Sequence, residues 1–341
     1  MGMKGFKGFE KDFSCRGKQY EENTTYEEHG DGCCHKGVMH FCEDPWEVLN
    51  HYDLVDENGN FSEFAEVEAL GQVWNDGEKR ATNKIHIGAK LGLKGFLKSC
   101  IDFTLEKTKY ESNVTNLSGY SAQIGSSGDS AQIGSSGDSA KIGSSGYSAK
   151  IGSSGYSAQI GSSGYSAQIG SSGDSAKIGS SGYSAKIGSS GDYAKIGSSG
   201  DYAQIGSSGD SAQIGSSGDS AKIGSSGDYA QIGSSGYYAK IGSSGDYAQI
   251  GSSGDSAQIG SSGYSAKINS TGEDAVIMCA GLGSRAKGKK GSWITLAEWV
   301  EDEEKGRYVP VCIKTERVDG EKIKEDTYYT LKNGEFVEGQ E

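Results

Sequence analysis

Proline and long apolar segments are both scarce in this chain of 341 residues. It has only 2 prolines beside its 55 glycines, which excludes a collagen-like triple helix, because collagen needs abundant proline and a glycine at every third position. No segment approaches the roughly 18 apolar residues of a membrane-spanning helix. Hydrophobic residues make up a low 34% of the chain, yet its 19 tyrosines argue against disorder, since disordered chains are poor in aromatic residues.

Cysteine occurs in an odd number and in a distribution that does not suit a disulfide scaffold. Four of the seven cysteines lie within the first 42 residues, whereas secreted disulfide-stabilised domains are small and carry an even number throughout. The cysteines are Cys15, Cys33, Cys34, Cys42, Cys100, Cys279 and Cys312. We therefore expect reduced thiols. A secretory signal requires an apolar stretch after its basic start, and the basic start of this sequence is not followed by one. We therefore expect a soluble protein of the cytoplasm that does not bind a membrane.

What the chain has in excess is a nine-residue repeat. From Gly119 to Thr271 the pattern Gly-(Asp/Tyr)-(Ser/Tyr)-Ala-(Lys/Gln)-Ile-Gly-Ser-Ser occurs seventeen times in succession, and a degenerate unit follows at 272–277. The repeat contains 33 of the 55 glycines. A short period that is kept this closely is typical of a solenoid.

Alternation within each unit predicts one short strand per unit. Ala and Ile are two residues apart and would share the inner face of an extended strand, while Ser/Tyr and Lys/Gln would share its outer face. Gly-Ser-Ser-Gly would then form the turn. Because Ala and Ile suit a thin interior, we favour two units per coil over three. The predicted fold is mainly β, with a flattened parallel β-solenoid over 119–277.

The outward positions hold the candidate binding residues. The residue after the first glycine is Asp in ten units and Tyr in seven, and the next residue is Ser in twelve and Tyr in five. Tyrosine provides a large contact area at low entropic cost and is enriched in protein interfaces. The candidate recognition residues are Tyr193, Tyr202, Tyr229, Tyr237, Tyr238, Tyr247, Asp192, Asp201, Asp228 and Asp246. The alternative is that stacked tyrosines only stabilise neighbouring coils through cross-strand contacts.

Other binding chemistries fit the repeat less well. Calcium-binding nonapeptide rolls read G-G-x-G-x-D-x-U-x, whereas here Asp comes one position early and is Tyr in seven units. Ice-binding faces use ranks of threonine, which the repeat almost lacks. Ten Asp against eight Lys leave the repeat at about −2 of the net charge of −13, so the rod lacks the dense negative surface of a DNA mimic. We expect no cofactor and no direct binding of nucleic acid.

Residues 1–118 have an ordinary composition and predict an α+β domain. Asp44 and Pro45 form a helix start, with Asp as the N-cap and Pro at the first helical position, and this helix would carry Val48, Leu49 and Tyr52 and end before the turn at 56–59. Strands are predicted at 64–70 and 84–87, and a longer helix at 93–107. We expect the longer helix to cap the open end of the first coil, because a solenoid end needs a cover.

Cysteine and histidine residues near position 40 form a candidate metal site. They are Cys33, Cys34, His35, His40 and Cys42. Zinc sites usually pair two knuckles of the C-x₂₋₄-C type, and neither the adjacent cysteines nor the downstream sequence supplies such a pair. Buried or incidental thiols are the favoured interpretation, and we assign no metal. Cys–His nucleophilic catalysis lacks an orienting partner and oxyanion donors here, so we assign no catalytic residue.

Residues 278–341 predict a small β-rich cap. Segments 292–300 and 308–314 are strand candidates, and Asp319-Gly320 and Asn333-Gly334 are typical of hairpin turns. The basic segment 284–291 lacks the spacing of a phosphate-binding P-loop. The favoured interpretation is a last imperfect coil followed by the cap.

Two resemblances add to this interpretation. The Ser-Ala-x-Ile-Gly unit resembles the repeat in the heads of trimeric autotransporter adhesins, which implies a parallel β-roll for 119–277 but not surface display. The flanks resemble uncharacterised phage and prophage proteins with an N-terminal domain of unknown function, through residues 4–6, 15–17, 37–45 and 284–293. That resemblance implies a viral origin, a place in the host cytoplasm and host-directed roles.

The leading prediction of function is a non-enzymatic phage-type solenoid that binds a host macromolecule, in first place a protein, and inhibits bacterial defence. An alternative is an NAD-using enzyme in residues 1–118, since 37–40 with Tyr20 and Tyr52 resembles the nucleotide-binding strand of small ADP-ribosyltransferase folds. Another alternative is a structural virion or spacer protein. Homo-oligomers are compatible with each, because tyrosine ladders can pack against copies of themselves.

Overall fold

The computed structural model describes residues 2–30, 32–33, 37–56, 59–107, 116–117 and 119–339. Its elements are numbered in chain order. The N-terminal region contains β1 (Met3–Phe9), β2 (Ser14–Cys15), β3 (Lys18–Gln19), β4 (Thr24–Glu27), β5 (Met39–Cys42), α1 (Pro45–Val48), β6 (Glu63–Ala69), β7 (Val73–Asp76), β8 (Lys79–Thr82), β9 (Lys84–Lys90) and α2 (Gly92–Lys107).

The N-terminal region is an antiparallel sheet with an apolar core on each side. Seven strands pair in the order β4-β9-β6-β1-β5-β8-β7, and β2 and β3 form a ladder of their own. One core contains Phe9 and Ile85, and the other contains Phe64 of β6 and Phe96 of α2, whose ring centroids are 3.8 Å apart in a stacked arrangement. The predictions of β6, β9 and α2 are confirmed.

The helix start at Asp44 is also confirmed, but the helix is shorter than predicted. The Asp44 carboxylate accepts a hydrogen bond from the Trp46 N–H at 2.9 Å, which is the N-cap contact. Helix α1 ends at Val48 rather than near Tyr52. The chain turns there because Leu54, which follows, is buried with α1 and α2 in one apolar core.

Two parallel sheets form the solenoid, which has about 10 turns. The first, called the covered sheet here, contains β11 (Gln123–Ser126), β13 (Lys141–Ser144), β15 (Gln159–Ser162), β17 (Lys177–Ser180), β19 (Lys195–Ser198), β21 (Gln213–Ser216), β23 (Gln231–Ser234), β25 (Gln249–Ser252), β27 (Lys267–Ser270) and β29 (Arg285–Lys287). The second, called the open sheet, contains β10 (Asn116–Leu117), β12 (Gln132–Ser135), β14 (Lys150–Ser153), β16 (Gln168–Ser171), β18 (Lys186–Ser189), β20 (Gln204–Ser207), β22 (Lys222–Ser225), β24 (Lys240–Ser243), β26 (Gln258–Ser261) and β28 (Val276–Cys279).

Each coil contains two nine-residue units, as the sequence predicts. Ile142 pairs with Ile160 in the next strand of the covered sheet, 18 residues further on. The isoleucines of the repeat and its alanines from Ala131 onward are buried between the two sheets. The ladder extends beyond 119–277, because Asn116 pairs with Gly134 before it and Arg285 pairs with Lys267 after it.

The turn lies elsewhere in the unit than the sequence pattern predicts. Each strand consists of Lys/Gln-Ile-Gly-Ser, and the turn is formed by the Asp/Tyr and Ser/Tyr positions. The first serine points inward, as in Ser180, whose Oγ accepts a hydrogen bond from the Gly182 N–H at 3.3 Å. The glycine before the turn passes directly beside the previous coil, since a Cβ at Gly182 would lie 1.9 Å from the carbonyl oxygen of Gly164. That glycine is required for stacking.

The turns change conformation along the rod. Tyr193 has an ordinary backbone and donates its N–H to the carbonyl of Asp174 in the previous coil at 2.7 Å. Ser211, one coil later, is left-handed with φ 55° and donates to the carbonyl of Asp228 in the next coil at 2.7 Å. A left-handed backbone disfavours every residue that has a Cβ.

Ser211→Gly is therefore expected to stabilise the protein by about 0.5–1 kcal/mol, because glycine adopts the left-handed conformation without the steric cost. Chemical denaturation would measure the change. The matched control is Ser220→Gly, at the same turn position without a positive φ, which should destabilise by about 0.5–1 kcal/mol. Equal shifts of the same sign for both variants would contradict the interpretation.

The C-terminal residues close the solenoid. They form β30 (Trp293–Asp302), β31 (Arg307–Arg317), β32 (Tyr329–Lys332) and β33 (Glu335–Glu338). Strand β30 continues the open sheet in parallel with β28, and β32 joins the covered sheet beside β29. The hairpin at Asn333-Gly334 is confirmed.

The predicted hairpin at Asp319-Gly320 is wrong, because β31 and β32 belong to different sheets. The loop instead folds over the end of the rod, where Val318 and Ile323 are buried in the solenoid core. The Asp319 carboxylate holds the loop by accepting hydrogen bonds from three backbone N–H groups.

Candidate functional site

The N-terminal region lies on the covered sheet. Helix α2 contacts β13, β15, β17 and β19 in succession. It packs over the glycines of these strands: a Cβ at Gly179 would lie 2.9 Å from Trp46 Cη2, and one at Gly197 would lie 2.5 Å from Leu97 Cδ2. The expectation that α2 caps the end of the rod is wrong. The helix runs along the flank because the glycine stripe there accommodates its apolar side chains.

Lysines beside this stripe bind the N-terminal region. Lys141 Nζ lies 2.8 Å from a carboxylate oxygen of Asp44. Lys177 Nζ donates to the Trp46 carbonyl at 2.8 Å, and Lys195 Nζ donates to the Leu49 carbonyl at 2.7 Å. Burial lowers the pKa of both Lys177 and Lys195. On the covered sheet, apolar side chains of the N-terminal region thus pack over the glycines, and its oxygen atoms bind the lysine ammonium groups.

The open sheet has the same residue pattern with nothing over it in the part of the chain that the structure describes. A Cβ would have no neighbour within 4 Å at the glycines that face outward, namely Gly152, Gly170, Gly188, Gly206, Gly224, Gly242 and Gly260. The lysines beside them are exposed; they are Lys150, Lys186, Lys222 and Lys240. Glycines and lysines together line a shallow trough of 1390 Å³ that follows the axis of the rod. We call this surface the open trough.

The predicted recognition residues lie on two opposite edges of the rod. Because a coil has two units, the turns of successive units fall alternately on a first edge, before the covered-sheet strands, and a second edge, before the open-sheet strands. The first edge holds Asp192, Tyr193, Asp228, Tyr229, Asp246 and Tyr247, and the second edge holds Asp201, Tyr202, Tyr237 and Tyr238. The ten residues therefore form no single surface.

The alternation predicts that the residues at the Ser/Tyr position share the outer strand face with Lys/Gln. The structure shows that they do not. They occupy the turns, while the lysines and glutamines lie on the flat sheets. The reason is the position of the strand, which begins at Lys/Gln and includes the following Gly-Ser.

Tyrosine rings stack along the second edge. The ring centroids are 5.1 Å apart for Tyr147–Tyr165 and 5.1 Å for Tyr165–Tyr183, both stacked, and 5.0 Å for Tyr183–Tyr202, where the planes are tilted by 58°. These four side chains are 38–54% exposed. Desolvation and a hydrogen bond with Tyr202 raise the pKa of Tyr183. We call these four residues the tyrosine row.

Sequence reasoning did not select Tyr147, Tyr165 or Tyr183, although they recur every 18 residues, which is the length of one coil. On the first edge a shorter stack joins Tyr229 and Tyr247, with centroids 5.0 Å apart.

The aspartates of the first edge bind the backbone. Asp210 accepts a hydrogen bond from the Asp228 N–H at 2.9 Å, and Asp228 accepts one from the Asp246 N–H at 2.7 Å. Asp246 does the same for Tyr264 at 2.7 Å. The predicted site residues Asp228 and Asp246 therefore help to join successive coils.

A second candidate site is a cavity of 1280 Å³ in the N-terminal region. Lys7, only 4% exposed, places its Nζ 3.3 Å from Cys15 Sγ and 3.2 Å from the His40 carbonyl oxygen. Cys15 Sγ in turn lies 2.7 Å from Tyr52 Oη, and Tyr20 also lines the cavity. The structure thus brings together residues that are far apart in the sequence, including the Tyr20, His40 and Tyr52 of the enzyme hypothesis.

Burial dominates the electrostatics of this cavity. It lowers the pKa of Lys7, against the opposing effect of Cys15, and it raises the pKa of Tyr20 and Tyr52. Lys7 also lies above aromatic rings, 5.3 Å from the ring centroid of Phe9 and 5.6 Å from that of Tyr20. An ammonium group held among rings and a thiol can bind an anionic or carbonyl-bearing ligand.

Lys7→Met is expected to stabilise the protein by about 1–2 kcal/mol at pH 7, because an apolar side chain replaces a buried charge. The folded-state pKa of Lys7 lies below the unfolded value of 10.5, so the wild type gains stability as pH rises from that folded value towards 10.5. The difference between variant and wild type should therefore shrink over this range. Thermal unfolding from pH 7 to 10 measures it, and a variant less stable than the wild type at pH 7 would contradict the argument.

The cysteine and histidine residues proposed as a metal site do not converge where they are described. His40 Nε2 lies 2.7 Å from the Cys33 carbonyl oxygen, and Cys42 is buried, which raises its pKa to about 12. Cys34 and His35 lie outside the described residues. Among the described residues no group of three or more His, Cys, Asp or Glu side chains could hold a metal ion.

No described helix combines the length and the apolarity that a membrane-spanning helix requires.

Comparison with known proteins reaches the N-terminal region alone. No curated protein and no solved structure matches the chain. Residues 3–99, which contain the antiparallel sheet and the Lys7–Cys15–Tyr52 cavity, match the family model of a domain of unknown function, DUF7666.

Proposed function

We propose that this protein is a non-enzymatic binding scaffold that recognises a host protein through its tyrosine row. The observation that carries the proposal is the row itself: four exposed rings in contact, from Tyr147 to Tyr202, at intervals of about one coil, of which the first three are stacked and the fourth is tilted. Exposed tyrosines provide contact area and a hydroxyl at little entropic cost, which suits protein recognition.

The rigidity of the rod supports this role. Each strand pairs with the strands above and below it, so the rings are held in place before a partner arrives. Preorganisation reduces the entropy lost on binding and so raises affinity.

Stabilisation of the coils alone is a weaker explanation of the row. The first edge carries aspartate in five successive coils, at Asp174, Asp192, Asp210, Asp228 and Asp246. Two of these turns, at Asp174 and Asp210, have no tyrosine at either turn position, and the strands after them, β17 and β21, still pair in register with the neighbouring coils. Since the coils stack without tyrosine at these turns, folding alone does not require the aromatic row, and this supports the proposed role in recognition.

The resemblance of the flanks to phage and prophage proteins suggests where such a scaffold acts. We propose that it occludes a component of bacterial defence in the host cytoplasm. A rigid, nearly uncharged rod with a continuous row of aromatic residues along one edge suits the blocking of a protein surface, and no chemical step is needed for that effect.

Replacement of Tyr147, Tyr165 and Tyr183 by Asp together is expected to abolish partner capture. The fold should persist, because Asp is the residue that other units carry at this position. Quantitative pull-down from host lysate, with circular dichroism as the folding check, measures the effect. The control is Tyr120→Asp with Tyr156→Asp, at the same turn position on the first edge, which should leave capture unchanged. Equal capture by both variants would overturn the proposal.

A second candidate function is ligand binding or catalysis in the N-terminal cavity. The observation that favours it is the grouping of Lys7, Cys15 and Tyr52 within a cavity that Tyr20 and His40 also line. Titration of the full chain with NAD, followed by calorimetry and by assay for nicotinamide release, tests it. Binding that Lys7→Met weakens would support this candidate, and the absence of heat and turnover would exclude NAD as its ligand.

A further inference from the structure

The outward glycines of the open trough have no structural reason in the fold itself. Their φ angles are not left-handed, and a Cβ would meet nothing within 4 Å at Gly170, Gly188 or Gly206. Glycine weakens a strand interior, where β-branched residues are favoured. Three other positions of the repeat vary between two residue types, while this glycine is kept in every unit from 119 to 260.

The covered sheet shows what such a glycine stripe accepts. There the same repeat position is filled by large apolar side chains: Trp46 and Leu97 lie over Gly179 and Gly197, and Ile101 lies over Gly161. Leu97 and Ile101 belong to one face of α2, which follows four strands of the sheet along the rod axis. A helix turn rises about 5.4 Å and a coil about 4.8 Å, so successive helix turns fall close to successive glycines.

The lysines of the open trough indicate that its occupant is negatively charged. The side-chain ammonium groups of Lys150, Lys186, Lys222 and Lys240 are exposed and form no hydrogen bond or ion pair within the described ranges, and the outward positions of strands β12 to β26 carry no acidic residue. On the covered sheet the equivalent Lys141 binds the carboxylate of Asp44. Two open troughs facing each other would bring like charges together, so a second copy of this surface is not the occupant.

We infer that the open trough is a docking site for an acidic amphipathic α-helix of a partner protein, which lies along the rod with its apolar residues over the glycines and its carboxylates on the lysines. This inference rests on the proposed function, because it names a second contact by which the scaffold holds its protein partner. The trough is on a sheet face and the tyrosine row is on an edge beside it, so the two surfaces can be tested separately.

The test uses the full chain and a synthetic 18-residue helical peptide as the probe. The peptide carries Leu at positions i, i+4, i+7 and i+11 on one face and Glu along its flank, and a fluorescent label reports binding by anisotropy. Saturable binding in the micromolar range is expected at low salt. A peptide of the same composition with scrambled order should bind at least tenfold more weakly, because the apolar face no longer matches the glycines.

Variants of the trough make the test specific. Gly188→Leu with Gly206→Leu fills the trough where nothing else is displaced, and should weaken peptide binding at least tenfold. The matched control is Ser190→Leu with Ser208→Leu, which adds the same side chains at exposed positions outside the strands and should leave binding unchanged. Lys186→Gln with Lys222→Gln, using the alternative residue of the repeat, should weaken binding and reduce its dependence on salt.

Three results would overturn the inference: no saturable binding up to 200 µM peptide (about 5 kcal/mol of affinity by the standard relation), equal binding of the scrambled peptide, or equal binding by the filled variant. If duplex DNA displaced the peptide, and DNA bound the Gly188→Leu, Gly206→Leu variant as well as the wild type, the surface would be assigned to a polyanion instead. The proposed function fails separately, through the tyrosine row: partner capture that needs Tyr147, Tyr165 and Tyr183 but not an open trough would keep the function and remove this site.

Discussion

Gly182→Ala is expected to disrupt the solenoid and to lower the free energy of unfolding by about 4 kcal/mol, at the upper end of single-residue effects. A Cβ at this position would lie 1.9 Å from the carbonyl oxygen of Gly164 and 3.0 Å from its carbonyl carbon. Both atoms are backbone, so no side-chain rotation relieves the contact. The coil would have to separate from its neighbour, at the cost of the hydrogen bonds that join the two turns. Urea denaturation followed by circular dichroism measures the loss.

The control for this change is Gly188→Ala, six residues later in the same coil. Its Cβ would have no neighbour within 4 Å, and alanine lowers the entropic cost of ordering the strand by about 0.5–1 kcal/mol. We therefore expect a stability equal to or slightly above that of the wild type. If both variants lost the same stability, the two glycines of the unit would not have the distinct roles argued here.

The period of the sequence predicts most of the solenoid but misplaces its turns. Nine-residue spacing and the alternation of Ala and Ile are local properties, and they predict strands, the buried face and two units per coil. Gly-Ser-Ser-Gly resembles a turn by composition. The structure uses its two glycines differently, one for close stacking at Gly182 and one as an outward strand residue at Gly188. The different roles of the two glycines depend on contacts between coils, which join residues 18 positions apart. The sequence of a single unit therefore does not predict them.

The candidate sites divide in the same way. That tyrosines such as Tyr202 and Tyr229 are exposed follows from their positions in the unit. Their location on opposite edges can be derived only from two facts together: each coil contains two units, and an odd number of units separates the two residues. The repeat does not predict which sheet is open and which is covered, because both sheets have the same residue pattern. The difference arises from the packing of the N-terminal region on one of them. The contact of Lys7 with Cys15 and Tyr52 likewise depends on tertiary packing.

Trp46→Ala is expected to release the N-terminal region from the covered sheet and to lower stability by about 3–5 kcal/mol, as for other fully buried aromatic residues. Trp46 is 1% exposed, and its indole N–H donates to Thr104 Oγ1 at 2.8 Å, which joins α1 to α2. Its ring also lies over Gly179 of the solenoid. Loss of the ring removes the apolar contact and leaves the Thr104 hydroxyl without this donor. Hydrogen exchange would report the release as faster exchange in β17 and β19, with the open-sheet strand β18 unchanged.

The same interface can be tested from the solenoid side, which separates docking from the folding of the N-terminal region. A Cβ at Gly179 would lie 2.9 Å from Trp46 Cη2, and the rigid, fully buried indole has little room to move. Gly179→Ala should therefore weaken docking by about 1–3 kcal/mol, as overpacked cores do. Gly188→Ala, at the equivalent strand position of the open sheet, should have no such effect. Faster exchange confined to the covered sheet in Gly179→Ala is the expected result, and unchanged exchange in both Gly179→Ala and Trp46→Ala would show that the N-terminal region does not dock on the glycine stripe.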